Sequence, residues 1–86
     1  MIKEIIEVRR PLGLHLREAD KLYREAIRFR SLIRLSAGSS TANGKSMLSV
    51  AGMCVRCGNM VELSCDGVDE AEAMDVLRDF LLNNRG

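Results

Sequence analysis

The residues best suited to chemistry gather in one short stretch, Pro11-Leu12-Gly13-Leu14-His15-Leu16-Arg17, which holds the only histidine of the 86-residue chain. An imidazole is largely neutral at physiological pH and presents a nucleophilic nitrogen, and histidine is among the side chains that form covalent intermediates. A helix starting just after His15 would offer an anion its free N–H groups and the positive end of its dipole. Arg17 adds a planar fork of donors matched to phosphate oxygens. Phosphoryl transfer asks for little more than an aligned nucleophile and stabilised phosphoryl oxygens. On spacing alone, an exposed or capping histidine of no consequence accounts for the same residues. Ser46 is a second candidate, standing before Met47, Leu48, Val50 and Ala51 as the N-cap of a short helix that Gly52 helps to end, a role worth about 1 kcal/mol.

These residues need elements to position them. Ile2 to Val8 is β-branched and imperfectly alternating, ends in Arg9-Arg10 and the sole proline, and reads as a half-buried strand. Pro11 and Gly13 mark a turn. Ala19, Leu22, Tyr23, Ala26 and Phe29 then recur at helical spacing over about residues 16 to 28, with Asp20, Lys21, Arg24, Glu25 and Arg28 opposite. Residues 31 to 36 read as a second strand and residues 40 to 43 as a short third one, followed by the Asn43-Gly44 turn and the Ser46 helix. After a turn at Cys57-Gly58-Asn59, the alternating Val61, Leu63 and Cys65 predict a strand over residues 60 to 65. Asp69 with Glu72 suggests a capping box opening a last helix. Its apolar stripe is Ala73, Met74, Leu77, Phe80 and Leu81, and Asn83-Asn84-Arg85-Gly86 releases the chain. The order βαββαβα predicts an α+β open-faced sandwich: a four-stranded antiparallel sheet with three helices on one face.

Composition narrows the function classes. At this length, with 47% apolar residues, one domain over residues 1–86 is expected. A net charge of +1 with one Tyr and two Phe disfavours nucleic-acid binding. The charge is unevenly spread: residues 1–43 carry nine Lys/Arg against five Asp/Glu, and residues 44–86 four against seven. That split points to a basic face. No apolar run is long enough to span a membrane and no signal peptide is evident, so a cytoplasmic protein without membrane insertion is expected. Three cysteines, Cys54, Cys57 and Cys65, are an odd number that argues for thiols over disulfides.

Gly13-Leu14-His15-Leu16-Arg17-Glu18-Ala19 resembles the active-site motif of the HPr family, the histidine-containing phosphocarriers of the bacterial phosphotransferase system, usually Gly-Leu/Ile-His-x-Arg-Pro-Ala. Lys45-Ser46-Met47-Leu48-Ser49-Val50 is similar to the family's regulatory-serine helix. Gly58 and the segment from Val61 to Glu70 match its last strand and final helix start. The spacing of all three fits without a gap. The resemblance implies that His15 accepts a phosphoryl group from a phosphoenolpyruvate-dependent general component and passes it to sugar-specific components. On this reading the protein is a carrier, not a turnover enzyme, and needs no cofactor or metal. It also implies that a dedicated serine kinase acts on Ser46 in some bacteria; a dianion there is favoured by the helix dipole. A monomer is expected.

Several residues around the motif admit more than one reading. Glu18 departs from the family's proline. Its charge would repel a phosphate and so modulate phospho-His15, reach back toward the residue 15 N–H as a capping-box Glu does, or simply face solvent. Leu16, Met47 and Leu48, with Leu12, are candidate apolar partner contacts, and Arg24, with Arg28, a steering face for acidic partners. Gly52-Met53-Cys54-Val55-Arg56-Cys57 is similar to the Gly-Met-x-Cys-x-x-Cys loop of soft-metal-binding domains, one residue short, and leaves Cu(I) or Zn binding through Cys54 and Cys57 as a rival function. Otherwise Cys54 and Cys65 are small buried hydrophobes and Cys57 lies in a turn. A third reading keeps the fold but makes the chain an HPr-like regulatory protein that carries little phosphate.

Overall fold

The structure is a computed structural model that describes residues 1–83; of the four residues expected to release the chain, 84–86 lie outside the described ones. The elements follow in the expected order: β1 (Ile2–Glu7), α1 (Leu16–Ala26), β2 (Leu32–Ala37), β3 (Ser40–Asn43), α2 (Met47–Gly52), β4 (Met60–Asp66) and α3 (Glu70–Leu82). The strands form one antiparallel sheet in the order β1-β4-β2-β3. Consecutive elements are therefore not all neighbours. The last strand slots between the first and second, so residues far apart in sequence meet at the centre of the sheet.

Strand alternation decides which face is covered. Register aligns Ile6 with Val61 and sets Leu35 and Ile33 beside Leu63 and Cys65, all buried on the helix side. Lys3, Ile5, Leu32, Arg34 and Met60 point the other way and stay exposed. One inward side chain in two is what a one-sided sheet requires. Against it α1 sets Ala19, Leu22 and Ala26, and α3 sets Ala73, Met74, Leu77 and Leu81, each an uninterrupted apolar stripe at helical spacing. The short α2 adds Val50. α1 ends at Ala26, two residues short of the sequence expectation, and Phe29 reaches the core from the turn that follows.

α3 starts differently from the capping box that Asp69 and Glu72 suggested. Asp69 is the N-cap, but its side chain makes no capping bond. Its carboxylate instead accepts the backbone N–H groups of Arg30 and Ser31 at 2.8 and 2.9 Å, and the Ser31 hydroxyl. Glu70, not Glu72, accepts from a loop amide, that of Gly67, at 3.1 Å. Asp69 thus ties the α1–β2 turn to the start of α3. Those hydrogen bonds, that of the Ser31 hydroxyl foremost, hold its carboxyl below the ordinary value of 3.8. A depressed carboxyl stabilises the fold above its unfolded pKa and loses that contribution as pH falls through the folded one. Asp69→Asn should therefore lower the urea midpoint at pH 7, and the gap to the wild type should close as the pH drops below about 4. An equal gap at pH 7 and pH 3 would contradict this assignment.

Candidate functional site

The His15 loop is held by its backbone. Gly13 N–H donates to the Arg10 carbonyl, and Leu14 N–H to the Val55 carbonyl at 2.9 Å. Leu14 itself is fully buried. With Leu14 anchored inward, the next residue turns outward, and His15 is exposed at the N-cap of α1 with extended backbone angles (φ −64°, ψ 170°). Gly13 sits at φ +64°, and a side chain there would run into the Val55 carbonyl and the Arg56 Cα. The loop before α1 and the loop after α2 are therefore in backbone contact.

Histidine is not among the residues that favour the N-cap, and its side chain makes no capping hydrogen bond. The N–H groups of the first turn, from Leu16, Arg17 and Glu18, have no carbonyl a turn behind them and no N-cap side chain to accept them. A helix that begins on a nucleophile and leaves its first donors uncapped is a ready cradle for an anion carried on that nucleophile. Arg17 is exposed in the same turn. Both residues that the sequence assigned to phosphate are thus exposed at the start of α1.

Glu18 departs from two of its three sequence readings. It neither faces solvent nor reaches the residue 15 N–H; only 2% of it is exposed. Its Oε2 accepts Nε and approaches Nη2 of Arg10, at 3.2 and 3.1 Å, with both side chains buried. Its Oε1 lies 3.8 Å from Lys21 Nζ. Arg10 also donates through Nη1 to the Phe80 carbonyl at 3.2 Å and lies over the Phe80 ring, 4.1 Å from its centre. Arg10 is the residue that the sequence reading missed, taken there as the polar end of a strand. A buried carboxylate needs a counter-ion, and a search for Glu18's would have led to it.

The partner-facing residues divide. Leu12, Leu16 and Leu48 are exposed, Met47 is half-buried, and α1 packs on α2, so the helices that begin at His15 and just after Ser46 are neighbours. Arg24 and Arg28 are exposed; Arg24 is bonded to Asp20 along α1, and Arg28, in the turn beyond it, to Glu25. Ser46 is the N-cap of α2: its hydroxyl accepts Ser49 N–H at 3.4 Å. That bond is long, so Ser46→Ala should cost only about 0.5–1 kcal/mol, read as a small drop in thermal midpoint; a loss several times larger would assign Ser46 another structural contact.

The cysteines are free thiols. Cys65 is buried as expected, and burial pushes its thiol up to about 11. Cys54, expected inside, is instead exposed at φ +56°. That left-handed backbone is one that glycine adopts at little cost and a side-chain-bearing residue at more. Among the described residues, no group of three or more His, Cys, Asp or Glu side chains is placed to hold a metal ion.

Comparison with known proteins gives this geometry its setting. The chain matches the family model "PTS HPr component phosphorylation site" over residues 2–83. It belongs to the HPr family. The phosphocarrier protein HPr of Neisseria meningitidis is 38% identical over 81 residues, covering 94% of this chain and 91% of that protein. The HPr-like protein Crh of Bacillus subtilis is 33% identical over 81 residues, covering 94% and 95%. A crystal structure of HPr from Thermoanaerobacter tengcongensis superposes with a TM-score of 0.89 at 34% identity, covering 94% of this chain and 91% of that one. The α+β open-faced sandwich is thus the HPr fold, and the chain is an HPr phosphocarrier of the phosphotransferase system, whose partners are that system's components. Among the described residues no helix is long and apolar enough to cross a membrane.

Proposed function

We propose that His15 is the residue that carries the phosphoryl group, taken from the general phosphoenolpyruvate-dependent component and given to sugar-specific components. In the loading step an imidazole nitrogen attacks phosphorus, an N–P bond forms and the bond to the donor breaks. The second step reverses these roles with the acceptor. Arg17 holds the phosphoryl oxygens through its guanidinium fork, and the open first turn of α1 accommodates their charge. The observation that carries this reading is the exposed imidazole at an uncapped helix start. Leu16, Met47 and Leu48 form the apolar centre of the docking surface, with Arg24 at its rim.

Ser46 is the regulatory site in this reading. Phosphate on the N-cap of α2 is tolerated by the helix dipole and changes the charge of the surface next to Met47 and Leu48, so it acts on partner affinity. The protein works as a cytoplasmic monomer, one HPr-like domain over residues 1–86. Incubation with phosphoenolpyruvate and the general component should give acid-labile phosphate that a sugar-specific component then removes. Absence of label with a cognate general component would favour the regulatory role over the carrier role. The presence of both His15 and Arg17 supports the carrier.

A further inference from the structure

The ion pair of Arg10 and Glu18 stands at the two ends of the loop that holds His15. Arg10 precedes the turn at residues 10–13, and its carbonyl accepts Gly13 N–H. Glu18 lies in the first turn of α1. Two guanidinium nitrogens meet one carboxylate oxygen at 3.1 and 3.2 Å, which closes residues 11–17 into a ring pinned at its base. The base is in turn fixed to α3: Arg9 N–H donates to the Leu81 carbonyl at 2.8 Å, and Arg10 grips the Phe80 carbonyl and covers its ring. These bonds also serve the carbonyls that the end of a helix leaves without partners.

Two charged side chains this deeply buried are expensive to desolvate, and a hydrophobic pair of similar volume is often as stable or more so. A buried pair beside an exposed nucleophile therefore suits positioning better than stability. Charge gives the same answer. Glu18 lies three residues after His15, in a turn where an uncompensated carboxylate would repel a phosphoryl group; Arg10, with Lys21 at 3.8 Å, holds its charge inward and balances it. The family motif usually has proline at position 18, whose ring fixes its own φ within the first helical turn. The ion pair supplies that restraint by a different means.

We propose that the Arg10–Glu18 pair is a positioning clamp for the His15 loop: it sets the direction of the imidazole and keeps the neighbouring carboxylate from opposing phosphate. Arg10 and Glu18 are positioning residues that act through His15 and never touch the phosphoryl group. The proposal rests on the carrier reading of His15 for its kinetic consequence, while its structural consequence does not depend on that reading.

The test compares wild type with Arg10→Met, Arg10→Lys and the double variant Arg10→Met with Glu18→Leu. Phosphorylation by the general component and phosphoenolpyruvate is followed at a temperature where circular dichroism shows each variant folded. Arg10→Met should slow the reaction about tenfold or more, in kcat with the carrier's KM held, because a misdirected nucleophile loses rate and leaves docking intact. The double variant, with neither charge, should recover only the share of that rate lost to the freed carboxylate and stay slower than wild type, and Arg10→Lys should recover part of it. Wild-type rate in Arg10→Met, or in the double variant, would overturn the clamp. If wild type itself takes no phosphate, the carrier reading fails, and amide exchange still judges the clamp. Exchange of Leu14 and Ala19, whose N–H groups bond to Val55 and His15 carbonyls, should quicken in Arg10→Met by about tenfold while Leu35 and Leu63 hold. Equal protection at all four would refute it.

Discussion

His15→Ala is expected to take no acid-labile phosphate from phosphoenolpyruvate and the general component, at any concentration of either, while melting at nearly the wild-type temperature. Both halves follow from where the side chain sits. The imidazole is exposed and makes no capping bond, so its removal takes away little packing and orphans no donor; surface changes of this kind usually stay within about 0.5 kcal/mol. The chemistry, in contrast, has no substitute. A phosphoryl group on nitrogen needs an uncharged ring nitrogen in the cradle at the start of α1, and the chain has only this one histidine. Acid-labile label on His15→Ala would remove His15 from its proposed role and direct attention to another nucleophile. Loss of label together with a large drop in melting temperature would mean that His15 supports the loop, contrary to its exposure.

Gly13→Ala should be the most damaging conservative change near the site, lowering both stability and phosphorylation rate. At φ +64° an alanine is strained by about 1–2 kcal/mol. The new methyl group would also meet the Val55 carbonyl and come within 2.7 Å of the Arg56 Cα, and these are backbone atoms with no rotamer to change. Overpacking of that kind adds about 1–3 kcal/mol, so the total is about 2–5 kcal/mol out of the roughly 5–15 kcal/mol that a domain possesses. Relief requires the His15 loop to move off the 53–59 loop, and that breaks the Leu14 to Val55 hydrogen bond. Chemical denaturation should report the stability loss, and the phosphorylation rate of the folded fraction should fall with it. Wild-type stability in Gly13→Ala would mean that the two loops are not in the contact described.

The pattern of elements was plain in the sequence because each is coded locally. Val61, Leu63 and Cys65 alternate, and Ala19, Leu22 and Ala26 recur at helical spacing, so the buried face of each element follows from its own residues. The candidate site was legible for a related reason. Glycine, histidine and arginine at positions 13, 15 and 17 are contiguous, and a motif on one turn of chain needs no tertiary information to be seen. The N-cap role of Ser46 was readable on the same local grounds.

What escaped were contacts made by side chains across the fold. Asp69 looked like half of a capping box until the α1–β2 turn supplied three better donors, from residues 38 and 39 positions away. Cys54 looked like a small core residue, yet a left-handed backbone next to the His15 loop turns it outward. Glu18 looked like a charge set against phosphate, and only the return of the chain past Arg10 and the end of α3 showed where that charge is spent. The elements, their order and a histidine at a helix start could be read from periodicity and motif, which are properties of neighbouring residues. Which charges meet was settled by the fold, because ion pairing depends on distances that no local pattern encodes, and here it pairs the carboxylate three residues from His15 with Arg10.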